Sequence, residues 1–170
     1  MKSKGNIVFL GMMGSGKTSI GSLVSKKFKL DFYDTDQLIE KKLNTKISKI
    51  FQDKGEKFFR DLEEKITLKI LRNRNIVVAL GGGTFLNKKI RNEILKNHNS
   101  IWLDWDSETL LKRIQNNPKR PIAFNSTSSE LSNLIKKRAN IYSKALYVIN
   151  CNNLTKKQIV DKIVKIYETN

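Results

Sequence analysis

Residues 11–18 read GMMGSGKT, which matches the phosphate-loop pattern G-x-x-x-x-G-K-[ST] at every required position. The stretch follows an apolar segment ending at Leu10 and begins a segment with helical periodicity, which is the context that the motif requires. Glycines let consecutive backbone N–H groups turn toward phosphate oxygens, and the N-terminus of the next helix adds positive charge. An ordinary glycine-rich turn is the alternative, but such a turn does not need the full motif. The stretch therefore predicts a nucleotide phosphate site.

The side chains of this loop have separate expected roles. Lys17 is placed to reach the β- and γ-phosphates, and the Thr18 hydroxyl is placed to bind Mg²⁺. We expect Mg²⁺-ATP to be bound by Gly14, Ser15, Gly16, Lys17, Thr18 and Ser19. The loop alone leaves the acceptor open, since ATPases, GTPases, nucleotide kinases and metabolite kinases share it.

Short apolar segments alternate with longer amphipathic segments, a pattern typical of a parallel sheet with helices on both faces. The predicted strands are 6–10, 31–33, 76–80, 100–103 and 146–150. The predicted helices are 17–28, 37–43, 56–71, 88–96, 108–116, 130–144 and 154–167. Asp36 and Ser107 are expected as helix N-caps. The sequence thus predicts a single α/β domain over residues 1–170, a three-layer α/β/α sandwich with a five-stranded parallel sheet and the P-loop NTPase fold.

Composition excludes several classes of protein and site. A chain of 170 residues, 39% of them hydrophobic, is enough for one core. A single cysteine, Cys151, and a single histidine, His98, rule out an internal disulfide and a Cys/His zinc site. No apolar run approaches the roughly 18 residues that span a bilayer, so we expect a soluble cytoplasmic protein without a membrane partner.

The net charge of +17 raises nucleic-acid binding as a competing function. The 33 basic residues comprise 26 lysines and 7 arginines, and the lysines are spread along the chain without aromatic interleaving. Such spreading is typical of solvated helix faces, so no nucleic-acid partner is expected. Arginine is then the informative cation, because its rigid fork binds carboxylate or phosphate through two hydrogen bonds.

Two aspartates, in Asp34-Thr35-Asp36, follow the second predicted strand. Both carboxylates should lie at the carboxyl edge of the sheet, where ligands bind in open parallel sheets. One can hold Mg²⁺, and the other can accept the proton of an attacking hydroxyl. A simple capping role for Asp36 remains the alternative.

A triple glycine, Gly81-Gly82-Gly83, ends the third predicted strand, where bare backbone would let a ligand approach closely. Arg60 lies in a long predicted helix. An ion pair to Glu63 or Glu64 within that helix is its simplest alternative role.

Taken in order, these features resemble the shikimate kinase family, whose fold is similar to that of nucleoside monophosphate kinases. The matching elements span residues 11 to 142. They are the phosphate loop, Asp34-Thr35-Asp36, Phe59-Arg60 with Glu63, Gly81-Gly82-Gly83, Arg120-Pro121, and Arg138 four residues before Tyr142. The resemblance implies phosphorylation of the 3-hydroxyl of shikimate by Mg²⁺-ATP, a step of chorismate and aromatic amino acid biosynthesis.

The resemblance implies a substrate site of five residues. Asp36 would contact the hydroxyl that becomes phosphorylated and is the candidate base. Arg60 and Arg138 would bind the shikimate carboxylate, and Gly82 and Gly83 would line the same pocket.

The resemblance also completes the nucleotide site. Asp34 would join Thr18 in binding Mg²⁺, and Arg113 would lie against adenine. Arg120, with Lys17 and Asp36, would be catalytic. It would also bind the nucleotide, because it would be carried by a lid of approximately residues 112–129 that closes over the phosphates. That segment holds both prolines and several Asn and Ser residues, which is typical of a mobile loop.

The sequence departs from the family pattern at two places. Ile122-Ala123-Phe124 replaces two expected leucines after Arg120-Pro121, and Thr84-Phe85 replaces smaller residues after the glycines. We expect His98 to be a surface residue, and Trp102 and Trp105 to pack around the fourth strand.

Two other functions stay open at this point. The nearest is a different small P-loop kinase, acting on gluconate or a nucleoside monophosphate. The other is a basic P-loop protein that binds nucleic acid. For the kinase we expect a monomer.

Overall fold

The computed structural model describes residues 5–115 and 126–169, which form a parallel sheet between two layers of helices. The strands are β1 (Ile7–Leu10), β2 (Asp31–Asp34), β3 (Ile76–Ala79), β4 (Asn99–Asp104) and β5 (Tyr147–Asn150). The helices, numbered within the described residues, are α1 (Lys17–Phe28), α2 (Thr35–Leu43), α3 (Ile47–Leu71), α4 (Lys88–Asn97), α5 (Ser107–Gln115), α6 (Ser128–Tyr142) and α7 (Lys156–Thr169). A short 3₁₀ helix, Thr84–Leu86, follows β3.

The sheet has the strand order β2-β3-β1-β4-β5, and every neighbouring pair is parallel. β1 and β3 are apolar at all four positions and buried throughout, because both faces of the sheet are covered by helices. β3 and β2 lie on one side of β1, and β4 and β5 lie on the other, so the connections leave β1 in opposite directions. The crevice beyond the carboxyl end of β1 is therefore the expected ligand site. The predicted fold class is confirmed.

Alternate residues of the central strands supply two separate cores. The face toward α4, α5 and α6 buries Val8, Leu10, Val78, Leu80, Ile90, Ile94, Ile114 and Ile135. The face toward α1 and α7 buries Ile7, Phe9, Val77, Ile101, Leu103, Ile20, Val24, Ile159 and Ile163. A smaller cluster of Ile39, Ile50 and Phe59 joins α2 to α3. The two large cores fix the carboxyl ends of β1, β2 and β3 beside one another.

The structure corrects the predicted start of α3. The helix predicted from residue 56 is preceded by a further helical segment beginning at Ile47. Gly55 separates the two parts with φ 78° and ψ 167°, a conformation open essentially only to glycine. The earlier segment was missed because this break leaves it only two turns long.

Both predicted N-caps were wrong by one or two residues. α2 begins at Thr35, and its cap is Asp34, whose side chain accepts hydrogen bonds from the backbone N–H groups of Asp36 and Gln37. At α5, Asp106 accepts from the Thr109 N–H at 2.7 Å, so Ser107 is already helical. In each case an aspartate one or two residues earlier is the N-cap, because its carboxylate reaches the free N–H groups of the first turn.

Among residues 5–115 and 126–169, no helix combines the length and apolar character needed to cross a membrane.

Candidate functional site

The phosphate loop has the backbone geometry of an anion cradle. Gly14 and Gly16 take φ values of 84° and 86°, in the left-handed region that glycine tolerates without strain. Gly16 is also the residue that precedes α1, so the free N–H groups of that helix open onto the loop. The Ser15 hydroxyl is buried and has no hydrogen-bond partner in the described part of the chain. These features fit a bound polyphosphate.

Lys17 lies across its own loop. Its Nζ donates to the carbonyl oxygens of Gly11 and Met12, each at 2.9 Å, and the residue is 8% exposed. The ammonium group is thus held over the concave side of the loop, from which it can exchange carbonyl oxygens for phosphate oxygens. Ser19 instead hydrogen-bonds the Gly16 carbonyl at 3.0 Å and supports the turn into α1.

Thr18 and Asp34, the predicted magnesium ligands, lie together. Thr18 Oγ1 donates to Asp34 Oδ2 at 2.6 Å, while Asp34 Oδ1 is occupied by capping α2. The cap therefore fixes the orientation of the carboxylate and leaves one of its oxygens toward the phosphate loop. A hydroxyl and a carboxylate oxygen are the kind of ligands that Mg²⁺ takes in nucleotide sites, where it keeps waters and phosphate oxygens as its other ligands.

The triple glycine brings together the three side chains predicted to bind the acceptor. A Cβ added at Gly81 would collide with the Asp36 carboxylate, and one added at Gly83 would lie 2.7 Å from Arg60 Nη1. A Cβ at Gly82 would lie 3.6 Å from Arg138 Nη1. The missing side chains at Gly81 and Gly83 thus leave the space that the Asp36 carboxylate and the Arg60 guanidinium occupy, and Arg138 lies at ordinary contact distance from Gly82.

The phosphate loop borders the same pocket. A Cβ at Gly82 would lie only 3.3 Å from the Met13 backbone nitrogen, so the triple glycine lies directly against the loop. The Gly81 N–H donates to the buried Thr35 Oγ1 at 2.8 Å, which ties the end of β3 to the start of α2. An acceptor lying on the glycines would therefore lie next to the phosphates of a nucleotide.

Arg60 is held in place by two carboxylates. Its Nη1 donates to Glu63 Oε2 at 2.8 Å, and its Nε donates to Glu56 Oε1 at 3.3 Å. Glu63 is 2% exposed, and its second oxygen accepts from Thr84 Oγ1 at 2.6 Å. The ion pair to Glu63 that the sequence offered as an alternative role is present, and it orients the guanidinium toward the glycines.

Arg138 is 8% exposed on the inner side of α6. Its Nη1 donates to the Gly82 carbonyl at 3.3 Å and to Met12 Sδ at 3.6 Å, and its Nε is buried with no partner among the described residues. Tyr142, one turn later, also donates its hydroxyl to the Gly82 carbonyl. Burial raises the pKa of Tyr142 to about 12, so this donor keeps its proton at neutral pH.

A family model described as shikimate kinase matches residues 13–168. The chain belongs to the shikimate kinase family. The shikimate kinase of Bacillus subtilis is 40% identical over 162 residues, covering 94% of this chain and 87% of that protein. The shikimate kinase of Sulfurihydrogenibium is 38% identical over 159 residues, covering 94% and 95%.

Solved shikimate kinases have the same fold. The Acinetobacter baumannii shikimate kinase in complex with shikimate matches with a TM-score of 0.91 and 27% identity, over 99% of this chain and 95% of that one. The enzyme from Bacteroides thetaiotaomicron matches with a TM-score of 0.86 and 25% identity, over 96% and 98%. The predicted family is therefore confirmed, while the roles of individual residues stay predictions.

In this shikimate kinase family member, the surroundings of Asp36 raise the pKa of its carboxyl group. Burial, reinforced by the negative charge of Asp34, raises the pKa of Asp36 from 3.8 to about 6, although Lys17 opposes the shift. Asp34 performs the capping that the sequence assigned to Asp36, so the Asp36 carboxylate lies against Gly81 instead. A carboxylate with a pKa near neutrality is suited to proton transfer at neutral pH.

The nucleotide side of the site extends to α5. Arg113 Nη1 donates to the Gly14 carbonyl at 3.3 Å, and its guanidinium lies over the Trp105 ring, 3.8 Å from the ring centroid. Arg120 and residues 116–125 of the predicted lid lie outside the described residues, as does Ile122-Ala123-Phe124. The catalytic role of Arg120 stays a prediction.

Sequence reasoning missed several contributors to the family site. Glu63 was offered only as an ion-pair partner competing with a substrate role of Arg60, and Thr84 was noted only as a departure, although its hydroxyl contacts Glu63. Gly81 faces Asp36 as closely as Gly83 faces Arg60. A signal was available for Glu63, because it lies one helical turn after Arg60. For Thr84 no local pattern indicates a partner 21 residues earlier.

Proposed function

We propose that the protein transfers the γ-phosphoryl group of Mg²⁺-ATP to the 3-hydroxyl of shikimate, giving 3-phosphoshikimate and ADP. The observation that carries the proposal is the pocket on the triple glycine, where Asp36, Arg60 and Arg138 lie against successive glycines beside the phosphate loop. Membership of the shikimate kinase family supports the same reaction. So does the likeness to an enzyme solved in complex with shikimate.

The acceptor half of the pocket fits a small hydroxylated carboxylic acid. Two guanidinium groups offer paired N–H donors to a carboxylate, a geometry that ammonium groups cannot reproduce. Glu63 and Glu56 fix Arg60, and the Gly82 carbonyl and Met12 fix Arg138, so little side-chain entropy is lost when the acid binds.

Asp36 supplies the base of the proposed reaction. Its carboxylate accepts the proton of the 3-hydroxyl while that oxygen forms its bond to the γ-phosphorus. The bond from this phosphorus to the bridging oxygen breaks, and its electron pair remains on ADP. With a pKa of about 6, Asp36 is mostly ionised at pH 7 and is still basic enough to take the proton.

The phosphate loop supplies the nucleotide half. Lys17 and the backbone N–H groups around Gly16 would bind the phosphate oxygens, and Arg113 would lie against the adenine ring. Thr18 and Asp34 would hold Mg²⁺, which neutralises charge on the phosphates when bound.

We further propose a cytoplasmic monomer that does not bind nucleic acid. One chain supplies all three side chains of the acceptor pocket, which supports a monomer. ATP and a small acid are cytoplasmic substrates, and the lysines that give the net charge are spread along the chain. Gel filtration tests the monomer. Binding of single-stranded RNA at physiological salt tests the last point, because affinity that falls steeply with added salt would contradict it.

The proposal is tested by coupled measurement of ADP release with a panel of acceptors: shikimate, gluconate, AMP and no acceptor. Shikimate is expected to stimulate ADP release strongly over the rate without acceptor, whereas gluconate and AMP are not. Mass spectrometry of the product should show shikimate plus one phosphoryl group. Stimulation by gluconate or AMP instead of shikimate would sink the proposal.

A further inference from the structure

Trp105 makes two contacts that no part of the expected site explains. It is the first residue after β4, and its indole Nε1 donates to the backbone carbonyl of Ser15, in the middle of the phosphate loop, at 2.9 Å. Its ring also lies under the Arg113 guanidinium, 3.8 Å away. Sequence reasoning expected only packing around β4. The ring is half-buried, so it could pack there without reaching the loop.

The bond to the Ser15 carbonyl controls a phosphate donor. All peptide bonds in the described residues are trans, and in a trans peptide the C=O and the following N–H point in opposite directions. A fixed Ser15 carbonyl therefore fixes the Gly16 N–H on the opposite side of the same plane. Gly16 precedes α1, so its N–H belongs to the cradle that would face phosphate oxygens.

Neighbouring carbonyls of the loop are held by the same pair of side chains. Arg113 Nη1 donates to the Gly14 carbonyl, and Trp105 supports Arg113 through a cation–π contact. Two consecutive peptide carbonyls are thus bound by the indole and by the guanidinium that lies on it. Tryptophan suits this task because a flat face and an edge N–H donor belong to one rigid group.

We infer that Trp105 is a positioning residue for the polyphosphate: by holding the Ser15 carbonyl it orients the Gly16 N–H toward the phosphates. The inference rests on the proposed nucleotide-dependent function and adds to it a residue outside the loop. Trp105 touches neither acceptor pocket nor reacting atoms, so it acts through the peptide plane.

Trp102 provides the matched control. It lies within β4, three residues before Trp105, and is also half-buried, but its ring packs against Tyr142, with ring centroids 6.0 Å apart. The chain contains only these two tryptophans. Each single Trp→Phe variant therefore keeps one tryptophan as a fluorescent probe.

The test compares Trp105→Phe with Trp102→Phe by calorimetric titration of ADP and of inorganic tripolyphosphate, both with EDTA present. Phenylalanine keeps an aromatic face for Arg113 but removes the N–H donor. Loss of one hydrogen bond predicts that Trp105→Phe weakens both ligands by a similar factor, about 2- to 10-fold. Trp102→Phe is expected to bind both like the unmodified protein. Thermal unfolding of each variant checks that the fold is kept.

Fluorescence gives a second measurement that does not require removal of Trp105. In Trp102→Phe, the remaining Trp105 is expected to change its emission when tripolyphosphate binds, because its N–H bonds the loop. In Trp105→Phe, the remaining Trp102 is expected to respond little.

The outcomes separate this inference from the proposed function. If Trp105→Phe bound tripolyphosphate as tightly as the unmodified protein does, the inference would be overturned. This would hold even if ADP bound more weakly, since Trp105 would then act only through the contact of Arg113 with adenine. If the unmodified protein bound neither ADP nor tripolyphosphate, the proposed function would fail as well.

Discussion

A methyl group at Gly83 tests the acceptor pocket where Arg60 lies against the triple glycine. The backbone of Gly83, with φ −103° and ψ −12°, accepts alanine without strain, so Gly83→Ala is expected to fold normally. The added carbon would lie 2.7 Å from Nη1, 2.9 Å from Nη2 and 3.1 Å from Cζ of Arg60. Ordinary contacts need about 3.5 Å, so the guanidinium must move by roughly 0.8 Å or turn away.

This displacement predicts a loss confined to shikimate binding. A hydrogen bond to a charged group contributes about 1.5–3 kcal/mol, so losing one such bond from Arg60 weakens binding about 10- to 150-fold. We expect the Michaelis constant for shikimate to rise by that factor in the ADP-release assay, while the constant for ATP stays within about 2-fold. Calorimetric titration with shikimate checks that the change is one of affinity.

A double-mutant cycle identifies Arg60 as the group displaced. Arg60→Lys keeps the charge but loses the fork, so it is expected to weaken shikimate binding by itself. If Gly83→Ala acts through Arg60, the double variant should be little worse than Arg60→Lys alone. Gly82→Ala is a comparison at the phosphate-loop side of the glycines, since its methyl would lie 3.3 Å from the Met13 backbone nitrogen but at an ordinary 3.6 Å from Arg138 Nη1. Any loss in Gly82→Ala is therefore expected in the Michaelis constant for ATP as well, and not to depend on Arg60. Wild-type shikimate affinity in Gly83→Ala, or fully additive losses in the cycle, would refute the reasoning.

Three further predictions follow from buried polar groups. Asp36→Asn should lower kcat by about 10²- to 10⁴-fold without lowering the unfolding temperature, because the amide removes a buried charge; retained turnover would contradict the base assignment. Thr84→Val should raise the Michaelis constant for shikimate several-fold with kcat kept, because Glu63 loses a partner. Thr84→Ser should restore it, and Thr67→Val should be neutral because Thr67 Oγ1 is buried and has no partner in the described ranges. Burial lowers the pKa of His98 in the folded protein. The free energy of unfolding is therefore expected to fall as pH falls below about 6.5, the pKa of histidine in the unfolded chain, because the unfolded chain then binds a proton that the folded protein does not. Urea unfolding at pH 7.5 and 5.5 should show a smaller pH effect in His98→Gln than in the unmodified protein, and equal effects would count against it.

The parts of the fold that the sequence predicted well are those with local signals. The phosphate loop carries its own strand and helix, and continuous apolar strands indicate a parallel sheet buried on both faces. The resemblance to shikimate kinases, carried by the ordered motifs, implied one pocket for Asp36, Arg60 and Arg138, and all three lie against the triple glycine. Glycines are informative here because the side chains that fill their space come from far along the chain.

The parts that were missed depend on contacts between distant segments. Asp34 and Asp36 compete for one helix terminus, and hydrogen-bond geometry rather than residue type decides between them. His98 was expected on the surface because its sequence context is polar, yet its side chain is only 8% exposed. Trp105 contacts a carbonyl 90 residues earlier, which no periodicity reveals.

A crystal structure of the protein with ADP and shikimate tests the central claim most directly. The account predicts the shikimate carboxylate between the guanidinium groups of Arg60 and Arg138, the 3-hydroxyl within hydrogen-bond distance of Asp36, and the ring lying on the triple glycine. Shikimate bound elsewhere, or bound in this pocket with its 3-hydroxyl turned away from Asp36, would contradict the account.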